Sequence, residues 1–272
     1  MKSKKERVDV LLVERGLIET REKAKRAIMA GIVYSNETRL DKPGEKIDDS
    51  APLIIKGAVM PYVSRGGLKL EKALQAFDVS VQDKIMIDIG SSTGGFTDCA
   101  LQNGAKLCYA IDVGYNQLAW KIRQDERVVV MERTNFRYVT ASDLQEGLPE
   151  FATIDVSFIS LKLILPVLKT LLVNNSDVIA LVKPQFEAGR DLVGKKGVVR
   201  DPNVHEAVLE EIVAFTIAQG YKPVNISFSP ITGGEGNIEF LLHLQWSYDM
   251  EMNDTPSFII KDIVKKAHDS LG

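Results

Sequence analysis

The stretch Ile87-Asp-Ile-Gly-Ser-Ser-Thr-Gly-Gly-Phe-Thr-Asp98 closes an apolar run and then places glycine at positions 90, 94 and 95. Glycines at that spacing let the backbone turn tightly and approach a ligand, and a helix beginning at Phe96 would offer its N-terminus there. Outward from this point the chain alternates short apolar runs with helical periodicity. IMIDIG, LCYAIDVG, VVVM, TIDVSF and VIALV read as strands, and helices are expected from Phe96, around Leu118, over Leu161–Val173 and over His205–Gln219. VNISFS and IEFLLHLQ follow as two more strands, and Leu68, Leu70, Ala73, Leu74 and Phe77 mark a helix opened by Arg65-Gly-Gly67. This alternation implies an α/β fold with a mostly parallel, doubly wound sheet and ligands at the carboxyl ends of its strands.

The glycine loop is spaced G-x-x-x-G-G, not the G-x-G-x-x-G of dinucleotide binding, and Asp88 lies just before its first glycine. The loop resembles motif I of S-adenosylmethionine (SAM) methyltransferases, which holds an amino-acid and ribose moiety. That resemblance makes Asp88, Gly90, Ser91, Gly94, Gly95 and Phe96 candidate cofactor-binding residues. Asp112 ends the next strand, where a carboxylate can accept from both ribose hydroxyls, and Asn135 follows VVVMERT in position to read an adenine. A glycine loop alone fits a structural turn as readily as a cofactor site, but an acid one strand later favours a nucleoside cofactor.

Residues 1–60 carry 13 Lys/Arg against 10 Asp/Glu, while the whole chain has a net charge of −3. The basic end therefore suits nucleic acid, because phosphate contacts draw on Lys and Arg. RVDVLLVERGL and TREKAKRAIMAG read as two short helices, the second capped by Thr20, followed by turn-rich strands. The run RVDVLLVERGLIETREKAKRAIMAGIVYSN resembles the S-four, or αL-motif, RNA-binding domain. A small α+β module over residues 5–60 is implied, with Arg7, Arg15, Arg21, Lys25 and Arg26 on its RNA side. Residues 61–64 then close a linker marked by Pro61.

Four charged residues stand at expected element ends: Lys69 in SRGGLKL, Asp155 in TIDVSF, Lys183 in VIALVKPQFE and Glu239 in GNIEFLL. In a doubly wound sheet the ends of the first, fourth and fifth strands adjoin, and the start of the last strand joins them if that strand runs antiparallel. Any one of these charges alone would read as a solvent-facing terminus. Together they resemble the K-D-K-E catalytic tetrad of FtsJ-type RNA ribose 2′-O-methyltransferases. With the N-terminal module, residues 5–246 resemble the TlyA family, also labelled haemolysin A, whose members methylate cytidine ribose in ribosomal RNA. The resemblance implies a Rossmann-like SAM-dependent methyltransferase domain over 65–246 with an antiparallel last strand. It also implies Lys69, Asp155, Lys183 and Glu239 as the catalytic residues, SAM as cofactor, and ribosomal RNA or ribosomal subunits as partner. The long glycine-rich segment 185–201 reads as a functional loop in which Arg190 and Arg200 suit RNA phosphates, as does Arg65 before the first helix of the domain.

The 272 residues include two cysteines, Cys99 and Cys108, and three scattered histidines, so neither a disulfide framework nor a metal site is expected. No apolar run approaches the roughly 20 residues of a membrane span and the start lacks a secretory leader, which makes the cytoplasm the expected location. The tail, 247–272, carries an amphipathic helix pattern and no catalytic role, and a monomer or weak dimer is expected. Two other functions compete with methyl transfer: a catalytically silent RNA-binding protein, against which the full tetrad argues, and a membrane-acting haemolysin, against which the absence of a span argues. A base methyltransferase would commonly use a cysteine or an amide-proline motif near the fourth strand, where this chain has Asp155-Val-Ser-Phe.

Overall fold

A computed structural model describes residues 4–57, 60–249 and 258–272. The chain divides into two compact units, residues 1–61 and 62–272. Ala58 and Val59 of the connection, and Pro256 and Ser257 of the expected tail helix, lie outside the described residues.

The smaller unit runs β1 (Lys5–Arg7), α1 (Val8–Glu14), α2 (Arg21–Met29), β2 (Val33–Ser35), β3 (Thr38–Arg39), β4 (Lys46–Asp48) and β5 (Ile54–Ile55). Thr20 caps α2 by accepting from the Lys23 amide. Val8, Leu11, Leu12, Ala24, Ala27 and Ile28 interlock as a minimal core. A carboxylate lies against this core: Asp9 is 0% exposed and accepts from Arg7 Nε at 2.8 Å, Arg7 Nη2 at 3.0 Å and Arg21 Nη2 at 2.9 Å. These two guanidiniums therefore staple β1 and α2 to the start of α1. Hydrogen bonds from Arg7, opposed by burial, and then those from Arg21 hold the Asp9 carboxyl at about 2. Because this value is below the unfolded one, the stabilisation is complete above about pH 4 and is lost as pH falls toward 2. Asp9→Asn is expected to destabilise the smaller unit at neutral pH by about 2 kcal/mol. Hydrogen exchange of residues 5–55 in the full chain would read this as lower protection, relative to the intrinsic exchange rate at each pH, that no longer falls as pH drops from about 4 toward 2.

The larger unit contains α3 (Gly67–Phe77), β6 (Ile85–Ile89), α4 (Gly95–Gln102), β7 (Leu107–Ile111), α5 (Trp120–Arg123), β8 (Val128–Met131), β9 (Phe151–Ile154) and α6 (Leu165–Leu168). It continues with β10 (Ser176–Val182), α7 (Pro184–Glu187), α8 (Pro202–Ala218), β11 (Lys222–Phe228), β12 (Phe240–Trp246) and α9 (Ile260–Leu271). Its seven-stranded sheet has the order β11-β12-β10-β9-β6-β7-β8. The pairs β10–β9, β9–β6, β6–β7 and β7–β8 are parallel, while β12 is antiparallel to both β10 and β11. This is the expected doubly wound sheet, its antiparallel last strand included.

Side chains alternate across the central strands and sort the core into two layers. Met86, Phe151, Ile179, Leu181 and Leu241 pack with Leu70, Leu74 and Phe96 of α3 and α4. Ile87, Ile154, Val178, Val182 and Leu242 face the opposite way, toward Leu209 and Ile212 of α8 and Val264 of α9. The expected helix over 161–173 is shorter: a 3-10 turn over Leu161–Leu163 precedes α6, which has Pro166 in its first turn. Proline has no amide hydrogen and disfavours a helical residue before it, so the apolar pattern there spans a break. The expected helix near Leu118 contracts to the four residues of α5. Helix α9 docks on α8, with His205 Nδ1 and His268 Nε2 2.9 Å apart. Both cysteines are buried and free.

Candidate active site

The same alternation delivers four charges to one place. Thr153 of β9 lies beside Asp88 on the α3/α4 side of the sheet, and two residues later Asp155 points to that side again. Leu181 leads to Lys183 in the same way, and Leu241, counted backwards, leads to Glu239. Because Val182 pairs with Phe240 across the antiparallel β10–β12 ladder, the end of one strand lies beside the start of the other. Lys69 completes the group from the first turn of α3. Lys183 Nζ donates to Asp155 Oδ1 at 2.5 Å, and Lys69 Nζ donates to Glu239 Oε2 at 2.7 Å and lies 3.6 Å from Asp155 Oδ2. Lys69 and Lys183 are each 7% exposed and Glu239 is 2% exposed. Desolvating such charges is costly, so they persist only as a mutually neutralising chain of two cations and two anions. Pro184 ends the strand after Lys183 and starts α7.

This chain of charges forms part of the wall of a cavity of about 480 Å³, which Arg65, Ser91, Phe96, Ser157 and Phe158 also line. A second cavity of about 380 Å³ shares Gly90, Ser92, Asp155, Ser157 and Phe158 with the first, and the two make one cleft over the carboxyl ends of β6, β7 and β9. Its wall is apolar at Ile89, Ile111, Val113, Phe136 and Ile164, and polar at Asp112 and Asn135. Asp112 is fixed there by the amides of Ser92 and Gly114, at 2.8 and 2.7 Å. Asn135 Oδ1 caps the 3-10 turn Phe136–Tyr138, accepting from the Arg137 amide at 3.2 Å. Gly90, at φ +85°, brings the backbone so near β9 that a Cβ would lie 2.5 Å from the Asp155 carbonyl oxygen. An apolar slot with one fixed carboxylate, reached by a close backbone turn, fits a nucleoside with an extended polar tail.

Asp88 occupies a different place from the one expected. It lines neither cavity; its oxygens accept from Thr97 Oγ1 at 2.7 Å and Thr153 Oγ1 at 2.9 Å inside the fold, and burial pushes its carboxyl up to about 6. It therefore braces the glycine loop from beneath. Gly94 also faces inward, toward Leu118 and Ile122, and starts α4 at φ +93°.

Residues 62–246 match the FtsJ-like methyltransferase family, and residues 6–51 match the S4 domain. This chain belongs to the FtsJ-like methyltransferase family. It is 73% identical over 272 residues, all of this chain and 97% of the relative, to a Bacillus subtilis (strain 168) protein provisionally named rRNA methyltransferase YqxC. It is 39% identical over 252 residues, 92% of this chain and 94% of the relative, to the 16S/23S rRNA (cytidine-2′-O)-methyltransferase TlyA of Mycobacterium tuberculosis (strain ATCC 25618 / H37Rv). A solved structure from Streptococcus thermophilus, provisionally titled a hemolysin, superposes with a TM-score of 0.77 at 60% identity, covering 98% of this chain and 96% of that one. Among the described residues, no helix is long and apolar enough to cross a membrane.

Within the FtsJ-like unit, Arg65 lines the charged cavity, whereas Arg190 and Arg200 are exposed on the segment that follows α7. Arg200 shares a shallow hollow of about 320 Å³ with Lys195 and Lys196, and Lys196 also borders the charged cavity. In the S4 unit, Arg7 and Arg21 are tied to Asp9, and Arg15 donates to the carbonyls of Asp49 and Ala51. Lys25 pairs with Glu22 at 2.7 Å and Arg26 is half-buried. Ser157, which no sequence pattern marks, lines both cavities, and its Oγ accepts from Lys183 Nζ at 3.2 Å. Asn237 is likewise unmarked in the sequence; its Oδ1 accepts from the Val199 amide and its Nδ2 donates to the Gly197 carbonyl, fastening the long loop at the cavity.

Proposed function

We propose that the chain transfers a methyl group from SAM to a cytidine ribose 2′-hydroxyl of ribosomal RNA, with Lys69, Asp155, Lys183 and Glu239 as its catalytic residues. The observation that carries this reading is the buried Lys183–Asp155–Lys69–Glu239 chain at one end of a nucleoside-shaped cleft. Names of relatives point the same way, and the S4 unit supplies an RNA-binding surface. Ribosomal subunits are the proposed partner, the cytoplasm the proposed location, and a monomer or weak dimer the proposed state.

The cleft residues suited to SAM are Gly90, Ser91, Gly95, Phe96, Asp112 and Asn135. When bound, SAM supplies a strongly electrophilic methyl group, so the protein's tasks are to align a poor nucleophile and to receive its proton. In this reading Lys183 holds the 2′-hydroxyl and takes its proton on Nζ, Asp155 orients Lys183, and the Lys69–Glu239 pair sets the field at the far side of Asp155.

The deciding experiment is transfer of labelled methyl from SAM to purified ribosomal subunits, with the product mapped by resistance to alkaline cleavage. Modification of a base, or liposome leakage with no methyl transfer, would overturn the proposal. For the cofactor, Asp112→Ala is expected to weaken SAM binding by about 10- to 100-fold, the value of hydrogen bonds to one charged acceptor. Calorimetry on the folded variant checks this, and unchanged affinity would remove Asp112 from the site.

A further inference from the structure

We propose that Ser157 is a positioning residue that, together with Asp155, aims the Lys183 nitrogen at the nucleotide to be methylated. The inference rests on the reading of Lys183 as the proton acceptor and deepens it. The Lys183 nitrogen has three directions besides its bond to Cε. Asp155 Oδ1 occupies one at 2.5 Å and Ser157 Oγ a second at 3.2 Å. Among the described residues Lys183 has no third hydrogen-bond or ion-pair partner; the Phe186 ring lies 5.9 Å from its nitrogen, and Lys183 lines the charged cavity, so the remaining direction is open to a hydrogen-bonding ligand there.

Both protein partners accept hydrogen bonds, and this constrains which side of a neutral Lys183 amine meets substrate. A neutral amine with its two N–H bonds committed to Asp155 and Ser157 has only its lone pair left for the cavity. A hydroxyl hydrogen arriving there meets an acceptor, and its proton passes from O2′ to Nζ. The ammonium so formed keeps both earlier hydrogen bonds. With Ser157 absent, the amine can turn an N–H toward the substrate and present the wrong group.

The Ser157–Lys183 contact is held from outside. Phe158, immediately after Ser157, has φ +63° and packs its ring 5.0 Å from that of Phe186 on α7. The next residue of α7, Glu187, accepts from Ser160 Oγ at 2.6 Å and from the Leu161 amide at 2.8 Å. The turn after β9 is thus fastened to the turn after β10, and Ser157 is fastened to Lys183 with it. The other charged groups around Lys183 are Lys69 from α3, Glu239 before β12, and Arg65, Lys196 and Glu235 on the cavity wall.

In the full chain, Ser157→Ala is expected to lower kcat by about 10-fold, the worth of one charge-assisted hydrogen bond, with the KM for SAM within twofold. The variant also loses an acceptor that favours the ammonium. The acid limb of the kcat–pH profile should therefore move to lower pH. Ser157→Thr, which keeps the hydroxyl, should restore both quantities. A structural role alone would not move the pH limb. If Lys183→Ala is inactive and Ser157→Ala matches wild type in kcat and pH limb, this inference is wrong while the Lys183 reading stands. If Lys183→Ala is as active as wild type, the Lys183 reading itself is wrong.

Discussion

Lys183→Ala is expected to reduce methyl transfer to ribosomal RNA by about 100- to 10,000-fold, the range that general acid–base assistance supplies. SAM affinity should change little, because the residues suited to the nucleoside lie around the ends of β6 and β7, away from β10. Such a loss in kcat without a loss in cofactor binding would separate chemistry from assembly. Lys183→Arg should not rescue the reaction, since a guanidinium stays protonated and cannot accept a proton. Single-turnover transfer with equilibrium SAM binding on the same preparations checks both statements. Activity in the arginine variant near that of wild type would assign Lys183 a purely charged, orienting role. The physical basis lies in β10: Val178 to Val182 are at most 1% exposed, and such a strand fixes the direction of the residue that follows it.

Much of this site was legible because strands impose a period of two. VIALV followed by a lysine, TIDVSF containing an aspartate and IEFLLHLQ preceded by a glycine-rich turn each placed a charge at an element end, and the resemblance to a tetrad joined them. What sequence could not supply was partners. Asp88 reads like a ligand-binding acid beside a glycine loop, yet Thr97 and Thr153, 9 and 65 residues away, take its oxygens into the fold. Arg7 and Arg21 read as a basic face, but Asp9 engages both, and an arginine gives no local sign of whether it faces phosphate or carboxylate. Ser157 and Asn237 carry no signal in the sequence because small polar residues in loops are common, and their meaning here comes from Lys183 and Val199, which the fold brings to them. The helix expected over 161–173 failed for a local reason, Pro166, which the apolar pattern masked.

Glu239→Ala should destabilise the larger unit by about 3 to 5 kcal/mol as well as abolish methyl transfer. The Glu239 and Lys69 side chains are 3% and 9% exposed, and their 2.7 Å ion pair satisfies a cation that has lost most of its contact with water. Removing the carboxylate leaves Lys69 with Asp155 at 3.6 Å, an anion already committed to Lys183 at 2.5 Å. A loss of this size is a large fraction of the roughly 5 to 15 kcal/mol that stabilises a typical domain, so a fall in melting temperature would be plain. Such a variant alone would leave activity loss ascribable to unfolding. The informative partner is the double variant Lys69→Met with Glu239→Leu, which removes both buried charges and fills the space with apolar atoms. Replacing a buried ion pair in this way is often neutral or stabilising, so the double variant should recover most of the lost stability. It should not recover methyl transfer, because the field around Asp155 and Lys183 would still lack its far pair. A double variant as unstable as Glu239→Ala would show that the ion pair is not what the single substitution breaks. A stable and active one would remove Lys69 and Glu239 from the chemistry and leave Asp155 and Lys183 to carry it.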